Sequence, residues 1–438
     1  MAERTIAAIA TPAGTGGVAI IRISGSGALS VAEKMFQPSA KIGVADFLPN
    51  FMYTGRIICD GFADYGMCVY FKAPKSFTGE DVVEFHCHGG AEIARGVLRA
   101  ALNNGAAMAE RGEFTKRAFV NGKLSLSSAE GMIDMINAES LAEVRAGGLL
   151  YAEKLTKEVE GYQNCLKGIL AQIAADCDYP EEGIAETSLS SVKDDLQSLQ
   201  SGINALVKAY SGGKLIKSGV SVAICGAPNV GKSSLLNALL GYDKAIVSSV
   251  AGTTRDAVEG TVLLDGIKFN FTDTAGIRER AGEIESIGIE RARRAIQTAD
   301  AVLCVSEDGD YSAAQGVGEE RLVKVYSKTD KRKPSGVYDV AISSVTGDGL
   351  DELKSLIFKK ATGGKSLDGA YIIEERHYFA LKRAAESLAD AIGGLSEFPL
   401  DLISLDINAA WQALGEITGE TANEEIISEV FAKFCVGK

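Results

Sequence analysis

Eight residues, Gly226-Ala-Pro-Asn-Val-Gly-Lys-Ser233, set two glycines, a lysine and a hydroxyl at the spacing G-x-x-x-x-G-K-[ST], directly after the apolar run Val220 to Cys225. That order predicts a strand, a phosphate-cradling loop and a helix opening at Ser234. The glycines let backbone N–H groups from Asn229, Val230 and Gly231 curl around a phosphate. Lys232 then reaches its β and γ oxygens, and Ser233 offers a hydroxyl to Mg²⁺. A glycine turn without a ligand would not need lysine, serine and helix in this register.

About twenty residues on, a polar segment runs Ser248-Ser249-Val250-Ala251-Gly252-Thr253-Thr254. Thr254 there is a candidate switch ligand for Mg²⁺ and the γ-phosphate. The alternating run Lys268–Thr272 leads into Asp273-Thr274-Ala275-Gly276, where Asp273 would hold Mg²⁺ at a strand end and Gly276 would turn its N–H to the γ-phosphate. Alone, either string usually marks a turn; in this order after a phosphate loop they point to a GTPase. The short strand Val323–Tyr326 is followed by Ser327-Lys328-Thr329-Asp330, where GTPases carry Asn-Lys-x-Asp. Asp330 can accept from both the ring N–H and the exocyclic amine of guanine, a pair adenine does not offer. Ser327 in place of Asn removes an amide that normally braces this loop, a change that bears on nucleotide affinity more than on guanine preference. Ser343 and Ser344 stand where backbone N–H groups meet the guanine oxygen.

The chain that carries these motifs is longer than a single core sustains. At 438 residues the chain is expected to form two or three domains. Its 46% hydrophobic and 24% charged content is that of a soluble globular protein, and no apolar run approaches a membrane span. The N-terminus lacks a signal-peptide core, so a cytoplasmic location is expected. Eight cysteines without a C-x-x-C pair read as reduced thiols. His86-Cys87-His88 alternates along a strand, with one other histidine far away, so it reads as sheet and not as a zinc site.

Residues 1–120 mix short β-rich runs with glycine turns, among them Val18–Ile23, Gly66–Phe71 and Asp81–His86, and a helix is expected over Ala91–Asn103. Residues 121–215 and 366–438 carry helical periodicity on either side of an α/β segment, 216–365. The two helical blocks are expected to pack together, with the α/β domain inserted between them. Net charge is −13. Basic and acidic residues number 12 and 11 in 1–120, 20 and 20 in 216–365, and 13 and 27 in the helical blocks. Any RNA contact should therefore avoid the helical blocks.

Long strings resemble the bacterial and organellar tRNA modification GTPase family MnmE (TrmE): Ile6–Pro12, Gly16–Gly25, Ser76–Glu84, His88-Gly-Gly90, Gly112–Leu124, the nucleotide motifs and Phe434–Lys438. The resemblance implies a multidomain α+β and α/β fold: an N-terminal α+β folate-binding and dimerisation domain (1–120), a discontinuous α-helical domain (121–215 and 366–438, the latter with an active-site tail) and an inserted Ras-like P-loop GTPase domain (216–365). It further implies a homodimer that binds a formyl or methylene tetrahydrofolate derivative. With the FAD- and NADH-using partner MnmG (GidA), in a heterotetramer, such a protein adds a carboxymethylaminomethyl-type group to carbon five of the tRNA wobble uridine. By the same resemblance Arg22, Glu80, Lys123 and Lys438 are folate contacts. Glu80 suits a pterin's amide-like edge, and Arg and Lys suit a glutamate tail.

The position after Asp-x-x-Gly is Ile277, which cannot orient water. The resemblance implies that Glu285 does so instead, and that K⁺ held by Asn229 and oxygens of Ser248, Val250 and Thr253 promotes dimerisation of GTPase domains. The competing reading is a GTP-controlled interaction switch without tRNA chemistry of its own.

Overall fold

The computed structural model describes residues 4–178, 189–242, 260–274, 285–364, 369, 371 and 374–437. Its contacts gather into two compact units. No described helix is long and apolar enough to cross a membrane.

The first unit comprises 1–133, 151–165 and 411–438. Seven strands form its sheet: β1 Ile6–Ile9, β2 Val18–Ser24, β3 Phe36–Pro38, β4 Met52–Cys59, β5 Phe62–Phe71, β6 Val82–His88 and β7 Ala107–Met108. Their order is β3-β4-β5-β6-β2-β1-β7, antiparallel except for the β1–β7 edge. Alternation sorts the two faces. Ile21, Ile23, Val83 and Phe85 point into a core shared with helices Ala28–Met35 and Ala91–Asn103. Arg22 and Ser24, paired in register with Glu84 and Val82, emerge on the other face. The expected helix over Ala91–Asn103 is present, and β6 runs through His88.

The end of the chain completes this unit. Helix Glu424–Ala432 lays Phe431 6.0 Å from Phe119 and 5.8 Å from Phe434, ring centre to ring centre. Val436 then bridges to Arg111. Gly437 passes so close that a Cβ there would lie 2.1 Å from the carbonyl oxygen of Ile9, at a φ of 102°. Only glycine fits such an approach.

The second unit comprises 134–150 and 166–410. Strands β8 Val220–Cys225, β9 Gly260–Leu264, β10 Ile267–Asp273, β11 Ala301–Ser306, β12 Leu322–Tyr326 and β13 Val340–Ala341 are ordered β13-β12-β11-β8-β10-β9, parallel apart from β9. Buried on both faces, β8 and β11 are near-continuous apolar runs, broken only by Ser221 and the terminal Ser306, as in parallel sheets. In the same unit, helix Leu189–Ser218 buries Val192, Leu196, Leu199, Ile203, Leu206 and Tyr210. Helix Glu375–Gly394 buries His377, Leu381, Ala384, Leu388 and Ala391. Both rows step by four and three, the spacing of a coiled-coil seam. Across it Tyr210 stacks on Tyr378 at 4.6 Å, and Gln200 Nε2 donates to the Ala385 carbonyl.

Candidate nucleotide site

At the carboxyl end of β8 the chain leaves the sheet through Gly226, whose φ is 144° and whose missing Cβ would sit 2.2 Å from the Val305 oxygen. Asn229 takes a positive φ of 62° at the crown of the loop. The following helix is Lys232–Tyr242, two residues earlier than the expected opening at Ser234. The first-turn N–H groups of Lys232 and Ser233 are therefore helix-terminal donors, directed to where an anion is favoured. Lys232 is buried, and its ammonium lies back over the loop, donating to the carbonyls of Gly226 (3.1 Å) and Ala227 (2.7 Å).

Strand β10 pairs with β8 so that Asp273 stands beside Ile224. The Ser233 hydroxyl donates to Asp273 Oδ2 at 3.0 Å, which brings the two expected Mg²⁺ oxygens together. Thr274 is buried, its hydroxyl donating to the Ile224 carbonyl at 2.9 Å, so this side chain fastens β10 to β8. Ser234 is exposed. Ser248, Ser249, Val250, Ala251, Gly252, Thr253, Thr254, Ala275 and Gly276 lie outside the described residues, as does Lys438. Glu285 opens helix Glu285–Thr298, and its side chain is likewise outside them.

The side expected to meet the base is assembled from three loops. Ser327, expected to leave its loop unbraced, does the opposite. It is 3% exposed, and its single hydroxyl proton faces the carbonyls of Val230 (2.7 Å) and Ser306 (3.1 Å), while its N–H donates to Ser306 O at 2.7 Å. Serine is shorter than asparagine, but here it reaches the phosphate loop directly. Lys328, at a φ of 59°, donates to the Asn229 carbonyl at 2.7 Å and to Glu307 Oε2. Asp330 Oδ1 accepts from the Ser343 hydroxyl at 2.8 Å. Ser343 is fully buried and also accepts from the N–H groups of Val345 and Thr346, while Ser344 is half-buried.

On the polar face of the first sheet, Arg22 Nε donates to Glu84 Oε1 at 2.7 Å, and the guanidinium lies over the rings of Phe77 and Phe114. Burial pushes the Glu84 carboxyl up, but His86 and Arg22 outweigh it and hold Glu84 below the usual carboxylate range. Glu80 is already paired: Arg117 donates to both its oxygens at 3.1 Å and Ser24 to Oε2 at 2.6 Å. Lys123 donates to the Pro74 carbonyl at 3.0 Å. It borders a cleft of about 460 Å³ with Ser76, Phe77, Ser128, Tyr151 and Glu153. No group of three His, Cys, Asp or Glu side chains among the described residues could hold a metal ion.

A family profile described as the MnmE helical domain matches residues 126–435, and one described as the GTP-binding protein TrmE N-terminus matches residues 5–123. Three curated proteins named tRNA modification GTPase MnmE align over the whole of this chain and the whole of their own. They come from Moorella thermoacetica (39% identical), Heliobacterium modesticaldum (38%) and Desulforamulus reducens (37%). The chain belongs to the MnmE family of tRNA modification GTPases.

In this MnmE chain the residue that sequence reasoning missed is Glu307. It follows β11, which pairs in parallel with β12 so that Ser306 stands beside Tyr326. The carboxyl ends of adjacent parallel strands are where ligand sites collect, which was the available signal. Lys328 holds the Glu307 carboxyl below its usual range. Glu307→Gln is expected to weaken GDP and GTP binding by about threefold, the scale of a half-exposed ion pair, and by less in high salt. Turnover at saturating GTP should not change. Titration with a fluorescent nucleotide at two salt concentrations checks this.

Proposed function

We propose that this MnmE-family GTPase couples GTP hydrolysis to modification of carbon five of the tRNA wobble uridine. The one-carbon unit comes from a tetrahydrofolate derivative, and the work is shared with an FAD-dependent partner of the MnmG type. The observation that carries the GTP part is the pre-assembly of both ends of a nucleotide: Ser233 on Asp273 at the phosphate end, Ser343 on Asp330 at the base end. GTP binding in this family implies Mg²⁺. The hard oxygens of Ser233 and Asp273 suit that ion, which when bound would neutralise charge on the transferring phosphoryl group. Lys232 would leave its loop carbonyls for the phosphate, and Asn229, with the segment Ser248–Thr253, is our choice for K⁺. The family match gives no support to an interaction switch without tRNA chemistry.

A homodimer is supported by an incompletely covered sheet face. Val18, Met52 and Tyr65 lie on the side of Arg22 and Glu84, and Tyr65 is 67% exposed. We place the protein in the cytoplasm, with residues 1–120 as the folate and dimerisation domain, 121–215 with 366–438 as the helical domain, and 216–365 as the GTPase.

Folate is assigned to the polar face and cleft around Arg22, Glu80 and Lys123, with Lys438 contributing from the chain end. Phe77 and Tyr151 offer rings and Lys123 a cation, a set that suits a flat heterocycle with an anionic tail. Replacing Glu80 with Ala would leave the Arg117 guanidinium, which is 8% exposed, with Glu113 as its remaining carboxylate partner. Glu80→Gln keeps the packing and is the cleaner probe. A charged hydrogen bond is worth roughly 1.5–3 kcal/mol, so affinity for 5-formyltetrahydrofolate is expected to drop by about tenfold or more, with GTP turnover intact. Unchanged affinity by calorimetric titration would remove Glu80 from the site.

A further inference from the structure

The acidity of this chain is a problem for a protein whose family acts on tRNA. A polyanion needs a local surface where cations outnumber acids. One such place lies in the first unit. Lys72 and Lys75 sit on a single turn closed by the Lys75 N–H to the Lys72 carbonyl at 2.9 Å. Lys123, from the far side of a long sequence gap, reaches that turn through its bond to the Pro74 carbonyl. The arrangement is fastened once more, where Asn121 Nδ2 donates to the Thr78 carbonyl at 2.7 Å, and Gly79 leaves room for the Lys123 stem, which a Cβ there would meet at 3.4 Å. All three lysines are exposed. Among the described residues none of the three lies within ion-pair distance of a carboxylate.

The nearby acids are otherwise engaged. Asp81 Oδ1 is turned inward beneath the turn, accepting from the Ala73 N–H and the Tyr70 hydroxyl, both at 2.9 Å. Glu80 is held by Arg117. Glu153, across the cleft, lies 3.9 Å from Lys157. Three ammonium groups share one turn with a single carboxylate, Asp81, so the turn keeps a net positive charge that lacks a full counter-charge. A bound polyanion would supply it.

We propose that the turn Lys72–Lys75, with Lys123 behind it, forms a contact surface for the tRNA phosphate backbone, and that it leads the RNA to the cleft bordered by Ser76, Phe77 and Tyr151. The inference rests on the reading of the chain as a tRNA-modifying enzyme. It adds which face receives the RNA. Phosphate contacts of this kind position a nucleic acid without reading its sequence, so selection of the uridine falls to other groups.

The test uses the full-length protein and an unmodified tRNA transcript with uridine at the wobble position. Binding is measured from 50 to 300 mM salt. The double variant Lys72→Gln/Lys75→Gln removes two cations outside the nucleotide and folate residues. Each phosphate contact contributes about 0.7–0.9 to the slope of log affinity against log salt, so the slope should become shallower by about 1.5. Affinity at 100 mM salt should fall roughly tenfold or more, with GTP turnover and melting temperature unchanged. Poly(U) should lose affinity in parallel. Lys382→Gln, on the helix Glu375–Gly394 and already paired with Glu386, serves as the control and should change neither.

A double variant that keeps wild-type slope and affinity overturns the surface while leaving the tRNA reading intact. Wild-type protein that binds no tRNA at any of these salt concentrations sinks both the surface and direct RNA contact by this chain. If the variant instead loses binding to anionic phosphatidylglycerol vesicles while holding tRNA normally, the surface belongs to a membrane and the proposal is wrong.

Discussion

Asp330→Asn is expected to turn this enzyme from GTP to xanthosine triphosphate. Ser343 dictates the direction. Its hydroxyl donates to Asp330 Oδ1, so an asparagine at 330 keeps its carbonyl toward Ser343 and presents its amide N–H₂ toward the base. Guanine meets that face with two donors of its own, whereas xanthine offers an oxygen in place of the exocyclic amine. Two charged hydrogen bonds are lost with GTP, each worth roughly 1.5–3 kcal/mol, so GTP affinity should fall by about 100-fold or more. The brace through Ser327 and the clamp through Lys328 do not involve the substituted group. Turnover with saturating xanthosine triphosphate should therefore recover most of the wild-type rate. A variant that still prefers GTP in a competition titration would show that the base lies elsewhere.

The second large effect concerns water activation. Ile277 has no hydrogen-bonding group, so the residue directly after Asp-x-x-Gly does not orient the attacking water. Glu285 opens the helix Glu285–Thr298 downstream of that segment. Glu285→Ala is expected to leave nucleotide affinity unchanged and to lower turnover by about 100-fold or more, the scale of losing a general base. Hydrolysis should also run far faster in KCl than in NaCl, because a cation at Asn229 would supply the positive charge that an arginine finger gives elsewhere. Steady-state rates in the two salts, for wild type and variant, decide the matter. Equal rates together with an active Glu285→Ala enzyme would refute it.

How much of this was readable from sequence depended on whether partners were close along the chain. Gly226 to Ser233 is one contiguous string, and its strand, loop and helix follow in order, so the phosphate end was legible almost to the residue. The helix starts at Lys232, since Lys232 and Ser233 serve both as motif residues and as its first turn. Ser327 was misjudged for a different reason. Its function is set by two carbonyls, at Val230 and Ser306, that no side-chain pattern advertises. Glu307 stands at the end of a strand, a signal present in the sequence, but its pairing with Lys328 follows only from β11 and β12 being parallel neighbours. In the first sheet, β2, β6 and most of β5 had readable alternation, whereas β3 and β7 are three and two residues long, too short for any period to show. Glu80 looked like a free ligand group because Arg117, which holds it, is 37 residues away.

The closure of the first unit by residues 411–437 bears on how this protein is made. Val436 and Gly437 pack against Arg111 and Ile9, so the sheet laid down first in synthesis waits for a segment that leaves the ribosome much later. The nucleotide sheet, contained within residues 220–341, has all its strands available earlier. Folding should then finish from the middle outward, with the GTPase sheet maturing while the N-terminal sheet is still short of its last packing partners. Until that segment arrives, the faces around Phe119 and Ile9 are exposed apolar surface in the nascent chain, and they are where a chaperone would be expected to hold it.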